Sequence, residues 1–558
     1  MDSNPKTQPN DPEAASLLAS VGKKIRPRLG MMVALLAVAF AYFWRLDRPL
    51  LWVDEAQTGI AARNILRFGY PTAFDGRNAA VVDSGRTLSR NLVFKQIPWA
   101  HHYLGAASVA LFGDSEFGLR ALFAAVGLLA FFPIYAVLKT RLKFPSLVTV
   151  LILISPQMVL FQRNARYYSL LILFYAVLLW HVANDSSKRT VRIITAILLF
   201  ILLFHTHPHV AICCSLSVLI FCGLYRRNRL GEYLIAAGVG FLSWFVWHQA
   251  LGPLLGHPML PLSFITKDFL VWLEQLSTGL LATVVDLDAI ACVPILAWFA
   301  GLGWLLVRER ETLRRAAQEP VARFLVITVL IHAVVTAATF GYETKTDRFC
   351  LLRYLCPVLL AALVLLFLLL NAVVKQRGFY LLAAVMIVIC NPLTLSFWAR
   401  PLGRKVPVSW AIPVYAEIFR PQTEAWDGAI ARLRDGTAVN SSEDRSIMAL
   451  PPWTQEVAIY YLGDRYFVPP LFEPGATEPL RPVREILGGQ RYDQAIARPA
   501  WFLDSYGFFP NPPPGYEIVS EIPSHRQRPD DGSRPELLRH SFPDYGVAKS
   551  IKVYRRRP

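Results

Sequence analysis

The chain has 558 residues, of which 54% are hydrophobic and only 17% charged, well below the roughly 25% charge of soluble domains. That balance excludes an ordinary soluble enzyme and points to a polytopic, all-α membrane protein. The formal net charge of +17 would suit nucleic acid, but the lysines and arginines lie in short clusters between apolar runs, an orientation signal, so no nucleic-acid partner is expected.

Residues 1–28 read as a disordered cytoplasmic N-terminus. Lys23 to Ala41 admits a signal-peptide reading, but an uncleaved first helix is preferred, and either way Asp54 emerges on the far side of the membrane. Apolar segments then recur at Leu29–Trp44, Phe117–Leu138, Pro145–Phe161, Tyr168–Ala183, Val191–Phe204, Val210–Leu224, Tyr233–Ala250, Ala289–Val307, Phe324–Gly341, Tyr354–Val374 and Phe379–Trp398. They predict about 11 transmembrane helices. Basic clusters precede the first and then follow every second segment, as with Lys139, Arg141 and Lys143, which sets those short loops on the cytoplasmic side. The pattern requires Pro98–Phe112 not to cross but to lie along the outer interface or dip partway in, so the first outward loop runs over 46–116. Six of the seven cysteines fall in or beside apolar segments and none in the tail, so no disulfide framework is expected there.

The outward loops gather the unusual polar residues. In LLWVDEAQTGIAARN (Leu50–Asn64), Asp54 and Glu55 are candidate catalytic acids in a chain that keeps charge out of its apolar runs. Asp54 also reads as a helix N-cap, with Gln57 reaching back to close a capping box. Adjacent helical residues point about 100° apart, so Asp54 and Glu55 do not face each other as an acid–base pair, and one acid works alone. A single carboxylate suffices when the leaving group is a phosphate, which departs as an anion and needs positive charge around it. Arg163, Arg166, Tyr167, Tyr168, Lys345, Arg348 and Arg353 are the candidates for holding such a phosphate, the guanidinium fork matching its oxygens. Interface anchoring for Arg163 and Arg166, and a solvated loop for Lys345 and Arg348, are the structural alternatives. The run His205-Thr206-His207-Pro208-His209 admits a metal, though helix-end hydrogen bonding explains it as well. His101 and His102 sit beside Trp99 and Tyr103 and read first as interfacial aromatics; with His205 and His207 they are the candidate substrate or metal contacts.

The W-x-D-E-A of the first loop, IPWAHHYLGAASVALFGDSEFGLR (Ile97–Arg120), RNARYYSLL (Arg163–Leu171), the later helix-end histidine and RFCLLRYLCP (Arg348–Pro357) together resemble membrane glycosyltransferases of the GT-C superfamily. Glycosyltransferase family 39, with protein O-mannosyltransferases and lipid A aminoarabinose transferases, is the nearest pattern. The resemblance covers 29–398 and implies a GT-C-like transmembrane catalytic module. Such a module takes a sugar from a polyprenyl-phosphate donor and transfers it, usually with inversion, to a hydroxyl of an envelope lipid, glycan or protein. It implies Asp54 as the loop acid, Glu55 as its neighbour and Arg163–Tyr168 as the region near the lipid phosphate. Many relatives carry a second acid in the second loop, where this chain has Arg166-Tyr167-Tyr168; a divalent metal therefore stays open. Short, compact loops point to a bacterial inner membrane with the chemistry on the extracytoplasmic face, an endoplasmic reticulum with the same outward-facing chemistry being the alternative. The alternative is a transporter of polyprenyl phosphate or lipid-linked sugar, which would place ionisable groups mid-membrane and show internal repeats.

Residues 399–558 hold 21 of the 39 prolines and predict a small α/β or α+β extracytoplasmic domain. YDQAIA (Tyr492–Ala497), YEIVSEI (Tyr516–Ile522) and SIKVYR (Ser550–Arg555) read as strands, WTQEVAIYYLG (Trp453–Gly463) as a helix.

Overall fold

The computed structural model describes residues 29–81, 98–184, 188–250, 318–339, 356–373, 425–435, 445–471, 483–505, 507–524 and 550–557, with a few positions between. The expected spans Ala289–Val307 and Phe379–Trp398 lie outside these residues, as do Lys345, Arg348 and Arg353.

Helices dominate. Helix α1 (Leu29–Phe43) leads into α2 (Val53–Phe68), α3 (Ala100–Phe112), α4 (Glu116–Leu129) and α5 (Phe131–Leu138). They are followed by α6 (Pro145–Leu153), α7 (Pro156–Arg163), α8 (Tyr168–Ala183), α9 (Arg189–Thr206), α10 (Pro208–Tyr225) and α11 (Arg227–Ala250). Further helices cover Pro320–Thr339 and Cys356–Val373. Among the described residues four helical stretches are long and apolar enough to cross a membrane: Glu116–Leu138, Arg189–Thr206, Pro208–Tyr225 and Arg227–His248. The pair α6–α7 makes a fifth if its 69° bend is counted within one span. The chain is an integral membrane protein. The segment expected as one straight span over Pro145–Phe161 is thus broken, because Pro156 offers no N–H to continue the helix and instead starts a new one. Leu29–Phe43, Tyr168–Ala183, Pro320–Thr336 and Cys356–Ala372 are further apolar helical stretches.

The first loop folds into two helices. The capping box expected at Asp54 is not formed: α2 begins at Val53 after Trp52, and Ala56 N–H bonds the Trp52 carbonyl. Asp54 and Glu55 lie inside the first turn, where the partial positive charge of the helix end favours carboxylates. Gly69, at φ 85°, ends α2 in the left-handed region. Helix α3 has 13 residues, about 20 Å at 1.5 Å per residue, too short for a roughly 30 Å hydrocarbon core. Gly113 and the Ser115 cap, whose hydroxyl accepts from Gly118 N–H at 3.0 Å, turn the chain directly into α4.

The tail forms a four-stranded mixed sheet in the order β1-β2-β4-β3: β1 (Ile447–Leu450) parallel to β2 (Trp501–Asp504), and β4 (Ser550–Arg556) antiparallel to both β2 and β3 (Tyr516–Pro523). YDQAIA lies in the helix Gly489–Ala497 rather than a strand, because it buries Tyr492 and Ala495, one helical turn apart. The helix Gln455–Leu462 packs on α2 and is buried along its whole length. One apolar core runs through the membrane helices; a second joins first-loop residues such as Leu51 and Ile60 to tail residues such as Trp426, Tyr460 and Trp501. The first loop and the tail therefore share an interior.

Candidate functional site

Adjacent acids on α2 meet two different arginines. Glu55 is 1% exposed and fully committed: Arg120 Nε and Nη2 donate to its two oxygens at 2.8 and 2.6 Å, and Ala165 N–H donates at 2.8 Å. Arg120 also donates to the carbonyls of Pro49 at 2.6 Å and of Leu46 and Leu50 at 3.2 Å. The pair thereby fastens α2, α4 and the α7–α8 connection to the segment that enters α2. Buried charges persist when every lone pair and N–H is used in this way. Glu55, one of the two candidate acids, has both carboxylate oxygens engaged in this anchor.

Asp54, one residue earlier, points elsewhere. Its Oδ2 meets Arg166 Nη2 at 3.1 Å, and its side chain keeps 15% of its surface open, against 5% for Arg166. Arg166 Nη1 reaches Gln57 Oε1 at 3.3 Å and Thr58 Oγ1 at 3.4 Å, while Thr58 donates to the Asp54 carbonyl at 3.0 Å. Spacing explains the cluster: positions 54, 57 and 58 share one helix face. Arg166 Nε is buried without a partner among the described residues.

Aromatic rings continue the site beyond the ion pair. The Arg166 guanidinium lies 5.8 Å from the Tyr167 ring, which contacts His101 at 5.9 Å, Tyr168 at 4.7 Å and His207 at 4.8 Å between centroids. Tyr168 turns back onto Phe161. His101 and His102, on α3, are 3.9 Å apart by their ring centroids, and neither nitrogen of His102 has a hydrogen-bond partner among the described residues. Burial, with Arg166 adding to it, pushes the His102 imidazole down to about 3; burial, then His102 and Arg166, lowers His101 well below the usual imidazole range. Both rings are interior and neutral, not the interfacial belt expected of them.

Arg163, expected at a phosphate, is spent on backbone. Its Nη1 donates to the carbonyls of Ala41, Tyr42 and Trp44, and its Nη2 to that of Arg45, so it caps the end of α1. The three histidines of H-x-H-x-H do not close on one point: His205 meets Trp247, His207 meets Tyr167 and lies 6.3 Å from His209 between ring centroids, and His209 hydrogen-bonds Thr336 at 3.1 Å. Among the described residues no three His, Cys, Asp or Glu side chains stand together to hold a metal. Sequence reasoning did not assign Arg120, whose signal is a charge just inside the apolar run of α4, or the pairing of Gln57 and Thr58 with Arg166.

No protein-family model matches the chain and no curated protein matches it. Solved structures do. ArnT from Cupriavidus metallidurans in the apo state superposes with a TM-score of 0.51 at 13% identity, over 96% of this chain and 98% of that one. The same protein bound to undecaprenyl phosphate gives 0.53 at 14% identity, over 94% and 97%. An oligosaccharyltransferase from Archaeoglobus fulgidus is a weaker likeness, with a TM-score of 0.48 at 12% identity over 87% and 70%. The chain shares its overall fold with ArnT.

Proposed function

We propose that the chain is a membrane glycosyltransferase that moves a sugar from a polyprenyl-phosphate donor to a hydroxyl acceptor on the extracytoplasmic face. The observation that carries this reading is the division of labour on α2. Glu55 is sealed into a structural pair, while Asp54 keeps an open edge and is aimed by Arg166 at 3.1 Å. The near full-length likeness to a structure that holds undecaprenyl phosphate supports a lipid-phosphate donor.

In the reaction, Asp54 takes the proton of the acceptor hydroxyl as that oxygen bonds to the anomeric carbon. The bond from that carbon to the phosphate oxygen breaks, and its electrons leave on the lipid phosphate. In an in-line displacement the entering and leaving oxygens lie on opposite sides of the reacting carbon. A guanidinium in contact with Asp54 therefore sits on the entering side, which makes Arg166 a positioning residue for the base. The leaving phosphate then falls to Lys345, Arg348 and Arg353. His101, His102, Tyr167 and His207 form a contiguous cluster of rings beside Arg166.

The test is Asp54→Asn in native membranes given a radiolabelled polyprenyl-phosphate sugar. Transfer should fall by roughly 10²–10⁴ while the chain stays folded and donor binding stays as in the parent chain. Turnover at the parental rate would remove Asp54 from the reaction.

A further inference from the structure

Away from the Asp54 site, the tail and Arg77 of the first loop line an open basin of about 790 Å³. Five arginines line it, from four parts of the chain: Arg77 after α2, Arg445 before β1, Arg491 and Arg498 in and just after the helix Gly489–Ala497, and Arg556 at the end of β4. No carboxylate lines it among the described residues. Several of the guanidiniums are held in place. Arg77 donates to the carbonyls of Asp464 and Arg465, both at 3.2 Å; Arg491 stacks 4.4 Å over the Phe467 ring; Arg556 donates to the Arg498 carbonyl at 3.0 Å. Arg445 and Arg498 make no ion pair among the described residues.

Gathering like charges is costly, and Arg77 registers it. Its guanidinium is lowered from its ordinary range first by burial, then by Arg491 and Arg445, with Asp75 and Asp464 opposing part of the effect. Arginines crowded around an open basin whose described lining holds no carboxylate are the arrangement an anion would complete, since each fork pairs two phosphate oxygens. The volume lies in the range of roughly 300–1,000 Å³ typical of small-ligand sites and far exceeds one inorganic ion.

We propose that this basin binds a ligand carrying two or more phosphate groups on a sugar-sized scaffold, supplied either as a membrane-lipid headgroup or as a soluble phosphosugar. This binding does not rest on the proposed function.

The full chain in phosphatidylcholine nanodiscs is titrated calorimetrically with glucose 1,6-bisphosphate and, separately, with a short-chain phosphatidylinositol bisphosphate. Inorganic phosphate serves as the single-anion control. At least one bisphosphate should saturate, and more tightly than inorganic phosphate. The double variant Arg445→Gln/Arg498→Gln should raise its Kd about tenfold or more, a factor of ten being about 1.4 kcal/mol. Arg445→Lys/Arg498→Lys, which keeps charge and loses the fork, should fall between, and Arg432→Gln outside the basin should bind like the parent chain. Tighter binding of the lipid assigns the source to a headgroup, and equal or tighter binding of the phosphosugar to a soluble glycan. Saturation by neither bisphosphate, or equal affinity in parent and double Gln variant, would overturn the proposal. Repeating the titration in Asp54→Asn, where the same Kd is expected, keeps this outcome separate from the fate of the transfer reaction.

Discussion

Gly59 of α2 lies so close to Tyr460 of the tail that a Cβ on Gly59 would run into the ring, while also sitting 3.2 Å from Leu119. The contact belongs to a larger joint. Arg63 pairs with Asp114 at 2.8 Å, stacks 3.7 Å over the Tyr460 ring and donates to the Tyr460 carbonyl at 2.7 Å; Tyr461 Oη accepts from Leu51 N–H at 2.8 Å. The helix bearing Asp54 is thus held from the tail side. Overpacking a well-filled interface costs roughly 1–3 kcal/mol, so Gly59→Val should lower the melting temperature of the reconstituted chain and reduce transfer with it. Gly59→Val/Tyr460→Ala should restore much of the loss, because the second change makes room for the first. A melting temperature unchanged in Gly59→Val would contradict the close packing.

The Glu55–Arg120 pair allows a sharper stability test. The two side chains are 1% and 4% exposed, so removing one leaves the other charged and buried. Arg120→Met should cost about 3–5 kcal/mol, while Glu55→Met/Arg120→Met should recover most of that stability, since paired burial rather than charge itself sustains the site. Denaturant unfolding in detergent micelles measures both. A double variant as unstable as the single one would mean that the bonds of Arg120 to the carbonyls of Leu46, Pro49 and Leu50 carry the effect.

These residues also mark what the sequence makes legible. Asp54 stands out because an acid beside an apolar run is conspicuous, and RNARYY announces a charged second loop. Which arginine meets which acid depends on tertiary placement: Arg120 lies 65 residues from Glu55 and Arg163 closes on carbonyls of α1, contacts no local pattern encodes. The same holds for the tail. Alternating apolar and polar residues reveal β3 and β4, whereas β2 is buried at all four positions and offers no alternation to read. The break before Pro156 was present in the letters, yet an apolar run of the right length masks it.

Arg166 separates positioning from phosphate binding. As a residue that aims Asp54, its replacement should lower kcat much more than it raises the KM for the polyprenyl donor. Arg166→Lys retains charge near Oδ2 and should recover part of the kcat lost in Arg166→Gln. Losses of one to three orders of magnitude are expected for a misaligned base. A rise in donor KM with kcat unchanged would instead place Arg166 on the donor, and steady-state kinetics with varied donor decides between them.

The buried histidines give the chain a pH signature of its own. His102 is held at about 3, below the ordinary imidazole value near 6.5, so the folded chain keeps it neutral while the unfolded chain takes up a proton as the solution acidifies. The sign follows from that difference: the stability of the neutral ring is fully present above about pH 6.5 and is lost progressively as pH falls toward 3. Between pH 7 and pH 5 this one ring accounts for about 2 kcal/mol, at roughly 1.4 kcal/mol per unit below 6.5, and His101 adds in the same direction. His102→Asn, which cannot protonate, should therefore flatten the acid limb of the stability curve even where it lowers stability at neutral pH. Thermal unfolding in nanodiscs from pH 5 to 8 reads the slope directly; parallel curves for parent and variant would show that His102 titrates alike in the folded and unfolded chain, against the burial that α3 imposes on it.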